Sequence, residues 1–204
     1  MLTTLYVIAA EQEYGPALRA RVEPLIVGIG PIDAAITLAS HLRGLADAGA
    51  LPDRVVSLGS AGSRRRPVGS VWQIAGVSWR DMDATALGFE RGVTPFCDQP
   101  AVVPLAVPLA DVPLATLSTG ADVLSGDGYA RIDTDLCDME TYAIARTCRR
   151  FGVPLAGYRA VSDGPGELSG VSDWTGMLHV VDARLAEVVD LLERQDLATA
   201  KPPR

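Results

Sequence analysis

The sequence predicts an α/β fold built on a mixed, largely parallel sheet, and three observations lead there. Short apolar runs of β character (4–10, 25–27, 54–58 and 155–161) alternate with segments of helical periodicity. Several of these runs end in glycine or polar residues, which let the backbone turn and a ligand approach closely. The chain has 204 residues and is 48% hydrophobic, ample for one packed domain and short for two. A single domain over residues 1–194 is therefore expected, with helices covering a central sheet in a three-layer α/β/α sandwich. The remainder, 195–204, is polar, ends Lys-Pro-Pro-Arg and is expected to be a disordered tail.

The first strand is Thr4 to Ala10; no basic region precedes its apolar stretch, so it reads as a strand and not as a leader. Glu11-Gln12-Glu13-Tyr14-Gly15-Pro16 leaves it, and a short helix runs to Arg21. The second strand, Leu25 to Val27, ends in Gly28-Ile29-Gly30-Pro31. Pro31 suits the first turn of a helix, and Ile32 to Leu45 follows with Ile36, Leu38, Ala39 and Leu42 on its apolar side. Arg54 to Leu58 is the third strand, ending in Gly59-Ser60-Ala61-Gly62. Val68 to Val77 has β character, and Pro104 to Leu117 holds one or two strands broken by prolines. Met139 to Arg150 reads as a helix with Ala143, Ile144, Thr147 and Cys148 on one face. Phe151-Gly152-Val153-Pro154 stops it, and Leu155 to Val161 is an apolar strand. A last helix, Asp173 to Glu193, carries Leu178, Val181, Leu185, Val188 and Leu192 along one stripe.

Composition narrows the partners. A formal net charge of −7 and a pI near 4.8 disfavour a phosphate backbone or an anionic membrane surface. No apolar run reaches the roughly 20 residues needed to span a bilayer. Cys97, Cys137 and Cys148 are widely spaced with no CxxC, which suits a reducing cytosol. His41 and His179 stand alone in predicted helices, so no metal site is expected. Nor is a bound cofactor: Gly28-Ile29-Gly30 lacks the third glycine of a dinucleotide fingerprint, no P-loop occurs, and Ser60 is not in GxSxG.

The run Asp138-Met139-Glu140-Thr141 followed by Arg159-Ala160-Val161-Ser162-Asp163 carries the strongest chemical signal. It places Glu140 at the start of a helix and Asp163 just past the carboxyl end of the next strand. A strand-end aspartate is ordinarily a turn residue or a cap. Here it joins three other polar or glycine-rich strand ends, Glu11/Glu13, Gly28-Ile29-Gly30 and Gly59-Ser60-Ala61-Gly62, at the edge where open α/β sheets bind ligands. Asp81 to Gly92 mixes acidic, small and aromatic residues after a strand. Arg64-Arg65-Arg66 is the one basic run, and a solvated loop accounts for it better than a phosphate site.

In order, Ala10-Glu11-Gln12-Glu13, Gly28-Ile29-Gly30, Gly59-Ser60-Ala61-Gly62, Asp81 to Gly92, Thr119-Gly120-Ala121-Asp122, Asp138-Met139-Glu140 and Arg159 to Asp163 resemble the 5′-methylthioadenosine/S-adenosylhomocysteine nucleosidases of the nucleoside phosphorylase superfamily. The resemblance spans about residues 4 to 190 and implies that superfamily's sandwich. It implies Glu13 as the base that activates water and Asp163 as the acid that protonates N7 of adenine, which requires an acid still protonated near neutral pH. It implies Met139 and Glu140 at the ribose, Glu140 holding the 2′- and 3′-hydroxyls, and Ser60 and Gly62 beneath sugar and base. Arg159 and Ser162 would lie near the water and the acid, and Leu124 at the purine. The C1′–N9 bond would break through an oxocarbenium-like transition state. The resemblance further implies a small-molecule nucleoside substrate and a homodimer completed by the stretch Leu87 to Phe96.

The sequence also departs from the family pattern. The segment between Glu13 and Leu25 is too short for the family's usual hairpin, and Ser63-Arg64-Arg65-Arg66 follows Gly62 in place of a longer loop. Val123 stands where an aromatic stacks on the purine and Leu87 where one lines the 5′ pocket, with Trp174, Phe89 and Trp79 as possible replacements. A phosphorolytic enzyme would need arginines converging on phosphate, where this chain has Glu11-Gln12-Glu13. Futalosine hydrolase is a related reading that Asp163, suited to adenine, disfavours. A non-catalytic nucleoside-binding domain would dispense with one of the carboxylates, yet Glu13, Glu140 and Asp163 are all present.

Overall fold

The computed structural model describes residues 2–200. Strand β1 (Thr4–Ile8) pairs in parallel with β2 (Leu25–Ile26) and β3 (Arg54–Gly62). On its other edge β3 pairs in parallel with β8 (Leu155–Asp163). The sheet then continues antiparallel to β4 (Val71–Trp79), parallel to β6 (Leu114–Thr119) and parallel to β7 (Leu136–Asp138). β7 returns antiparallel to β3 through the pair Gly62–Cys137. The path β3–β8–β4–β6–β7 thus closes on itself as a small barrel, with β1 and β2 beyond β3, and β5 (Val102–Pro104) beside β4.

Alternation along the strands feeds two apolar layers, since successive side chains point to opposite faces. Val55 joins the layer under α2 (Pro31–Asp47) and α3 (Thr141–Phe151), with Leu38, Leu42, Ile144 and Cys148. Val56 and Leu58 join the layer under α1 (Pro16–Arg19) and α5 (Leu178–Ala200), with Leu18, Val181, Leu185 and Leu192. Helices therefore cover both faces, as the α/β/α reading expects. Pro31 occupies the first turn of α2 as expected, and Gly152, at φ 69°, ends α3 in the left-handed conformation that favours glycine.

Three elements differ from the sequence reading. The last helix is two: α4 (Val171–Thr175) stops at Gly176 before α5 begins. α5 then runs on to Ala200, so 195–200 of the expected tail are helical; Asp196 pairs with Arg54, and Gln195 Nε2 donates to the Pro108 carbonyl at 2.7 Å. Residues 201–204 lie outside the described residues. β7 was not expected, because three residues between loops carry no period. Ile36 is 60% exposed and not on the buried side of α2.

Candidate active site

The carboxyl ends of β3, β7 and β8 meet at Gly62, which pairs with Cys137 on one side and Asp163 on the other. Ala61 pairs with Val161 but Gly62 with Asp163, so Ser162 is the extra residue of a β-bulge. Bulges re-aim side chains at strand ends, and here both Ser162 and Asp163 face a cavity of about 490 Å³, a volume typical of small-molecule sites. Eight of the nine predicted site residues line it: Glu13, Ser60, Gly62, Leu124, Met139, Glu140, Ser162 and Asp163.

Glu13 arrives on the 3₁₀ turn Glu11–Glu13 that follows β1. Its Oε1 accepts from the Ser60 amide at 2.7 Å and the Ser60 hydroxyl at 2.6 Å, while its buried Oε2 has no hydrogen-bond partner among the described residues. Burial raises its affinity for protons, opposed by the Ser60 hydrogen bonds and the Arg159 charge. Glu140 sits at the N-terminal boundary of α3, and its Oε1 accepts from the Gly30 amide at 2.8 Å. Burial, then the neighbouring Asp138, pushes its carboxyl up to about 7. Asp163 is half-buried; its Oδ1 accepts from Ser162 Oγ at 2.7 Å and its Oδ2 from the Tyr129 hydroxyl at 2.8 Å.

Arg159 is the predicted member that the cavity wall does not include. Its guanidinium is buried behind the wall, where Nε donates to Asp138 Oδ2 at 3.1 Å and Nη2 to Ser57 Oγ at 3.0 Å and Thr141 Oγ1 at 2.6 Å. It is the cation that offsets a buried cluster of Asp138, Glu13 and Glu140. Asp138 itself had no role in the sequence reading. It caps α3 through the Thr141 amide at 3.1 Å and accepts from Thr119 Oγ1 at 2.6 Å. Its signal was its spacing, an aspartate just ahead of a helical run.

Val123, 67% exposed, lines the cavity without a ring to offer. Of the aromatics considered in its place, Trp174 lines the cavity, and its Nε1 donates to Ser60 Oγ at 3.0 Å. Trp79 instead stacks on Tyr142, and Phe89 meets Phe96 edge to face, with centroids 5.6 Å apart in each pair. The basic run is structural: Arg66 pairs with Asp135 at 2.7 Å and covers the Trp72 ring, and Arg65 donates to the Asp133 carbonyl. Leu87 is 72% exposed and outside the cavity.

The phosphorylase superfamily model matches residues 116–192. The 5′-methylthioadenosine/S-adenosylhomocysteine nucleosidase of Actinobacillus succinogenes is 32% identical over a 160-residue alignment that covers 69% of this chain and 67% of that protein. Among solved structures, the nucleosidase of the same name from Colwellia psychrerythraea, in complex with adenine, superposes with a TM-score of 0.78 at 22% identity, covering 96% of each chain. The futalosine hydrolase of Helicobacter pylori shares the fold at a TM-score of 0.76 and 16% identity, over 93% of this chain and 97% of that one.

Proposed function

Because this chain belongs to the 5′-methylthioadenosine/S-adenosylhomocysteine nucleosidase family, we propose that it hydrolyses the N-glycosidic bond of methylthioadenosine and/or S-adenosylhomocysteine and releases adenine. One observation carries hydrolysis over phosphorolysis. Among the described residues, Arg80 is the one cation on the cavity wall, and it is already committed. Its Nη1 donates to the carbonyls of Ser118 at 3.0 Å and Asp138 at 2.8 Å, and its Nε and Nη2 to Asp122. Among the described residues of one chain, the cavity wall offers no free guanidinium to hold a phosphate nucleophile, and the buried carboxylates would repel one.

On this reading each step falls to one of this chain's own side chains. Glu13 takes a proton from water through Oε2, while Ser60 fixes Oε1 and so the plane of the carboxylate. The oxygen of that water bonds to C1′ as the C1′–N9 bond breaks and its electron pair passes to the purine. Asp163 delivers a proton to N7, so that neutral adenine leaves. Glu140 accepts from the ribose hydroxyls, with Met139 against the sugar, and Leu124 borders the purine. Trp174 supplies the aromatic surface that Val123 lacks. Each proton-transfer role is typically worth about 10²–10⁴-fold.

Two further readings belong to this proposal. The enzyme works in the cytosol, a reducing compartment that its three free cysteines suit; no helix among the described residues is long and apolar enough to cross a membrane. It acts as a homodimer whose loop 87–96 reaches the partner's cavity. Leu87 and Phe96 are 72% and 97% exposed, an apolar pair a C₂ interface would cover on both subunits. The deciding assay incubates the protein with methylthioadenosine, with and without phosphate, and follows adenine. Equal release and a free ribose sugar are expected; a ribose-1-phosphate product overturns hydrolysis.

A further inference from the structure

We propose that Tyr129 is a positioning residue for the leaving-group acid: its hydroxyl holds Asp163 by Oδ2 and stabilises the carboxylate that forms as the proton departs. No sequence motif assigned Tyr129 a role, and the inference rests on the acid role given to Asp163. Tyr129 lies in the 3₁₀ helix Gly126–Arg131 and is 1% exposed. Its ring packs in a small apolar cluster with Leu124, Ile132 and Cys137. A phenylalanine would fill the same space without burying a hydroxyl, so the hydroxyl is explained by what it touches.

It donates to Asp163 Oδ2 at 2.8 Å. The Cys137 thiol lies beside the Tyr129 hydroxyl; its Sγ donates to the Gly62 carbonyl at 3.5 Å, which leaves the phenol as the donor to Asp163 Oδ2. Burial raises the proton affinity of the Tyr129 phenol, which keeps it a donor. The approach depends on glycine at 62: a Cβ there would lie 2.2 Å from the Tyr129 hydroxyl and 2.9 Å from Asp163 Oδ2. With Ser162 on Oδ1 at 2.7 Å, both carboxyl oxygens are held from the protein side. The other charged groups nearby point elsewhere: Arg80 to Asp122, Asp138 to Arg159, and Asp173 of α4 to Ser169.

A hydrogen bond to a carboxyl oxygen strengthens as that oxygen gains charge. The Tyr129 contact is therefore stronger after proton transfer to N7 than before it, and stabilisation of this kind raises kcat more than it lowers KM. The test compares Y129F, D163N and the double variant, each in the whole chain, with methylthioadenosine as substrate and thermal melting as the check on folding. Y129F is expected to lower kcat about tenfold or more, the usual scale for a hydrogen bond to a charged group, with KM within about twofold. Because Tyr129 acts through Asp163, Y129F should have no further effect in the D163N background. Wild-type kcat in Y129F overturns the proposal, as does an equal loss in both backgrounds, which marks a structural role. If Y129F does not fold, 3-fluorotyrosine at position 129 keeps the shape and changes the hydroxyl's acidity, and an unchanged kcat then overturns it. A fully active D163N removes the acid role itself, whereas an inactive D163N beside an unaffected Y129F removes the tyrosine alone.

Discussion

Replacing Arg159 with methionine keeps most of the aliphatic stem and removes the cation that offsets the buried carboxylates behind the cavity. The ion pair with Asp138 has side chains 3% and 2% exposed, so solvent cannot substitute for either partner. Five hydrogen bonds leave the guanidinium, to Asp138, Thr141, the Ser57 hydroxyl, and the Ser57 and Tyr158 carbonyls. Removing one partner of a buried pair destabilises by about 3–5 kcal/mol, because the other charge is left uncompensated. At roughly 2–4 °C per kcal/mol for a domain of this size, the melting temperature should fall by roughly 6–20 °C. Thr119 and Thr141 still donate to Asp138, which places the expected fall in the lower part of that range. Adding Asp138→Asn to the variant should recover part of the loss, since it removes the orphaned charge. Scanning calorimetry on the single and double variants at neutral pH measures both effects. Glu13 and Glu140 would also lose the charge that opposes their protonation, so the acidic limb of the activity profile should move to higher pH. An R159M melting temperature within about 2 °C of wild type would refute the reasoning.

Glu13→Gln preserves shape but cannot take a proton from water, so turnover should fall by about 10² or more with circular dichroism unchanged; near-normal activity in the folded variant removes Glu13 from the base role. Burial and the neighbouring Asp138 push the Glu140 carboxyl from its usual 4.5 up to about 7, and a raised carboxyl favours the folded state only while it stays protonated. Its contribution is thus complete below about 4.5 and is lost as pH rises through about 7. Wild-type stability measured against Glu140→Gln should decline across that window and level off above it, and denaturant midpoints that track each other throughout would contradict the assignment. Charged residues in place of Phe89 and Phe96 should yield monomers with weakened binding of 5′-substituted substrates; light scattering that finds a fully active wild-type monomer ends the dimer reading.

What the sequence by itself determined were the features written in local pattern. Strands and helices such as Leu155 to Val161 and Ile32 to Leu45 declare themselves through period and through flanking Gly and Pro, and each formed within a few residues of its expected place. The gathering of Glu13, Ser60, Glu140 and Asp163 on one cavity was legible for the same reason, because Glu13, Ser60 and Asp163 follow or close strands at one edge of the sheet and Glu140 opens a helix there. Only the tertiary structure decided what depends on contacts between distant segments. β7 exists because its three residues find both β6 and β3, a stabilisation with no local period. Gln195 and Asp196 are helical because Pro108 and Arg54 hold them there. Arg159, expected near the water and the acid, stands behind the wall because an unpaired guanidinium is too costly to bury and Asp138, 21 positions away, pairs with it there. Tyr129 meets Asp163 across 34 positions, a separation that no motif spans and that closure of the barrel at Gly62 brings within a hydrogen bond.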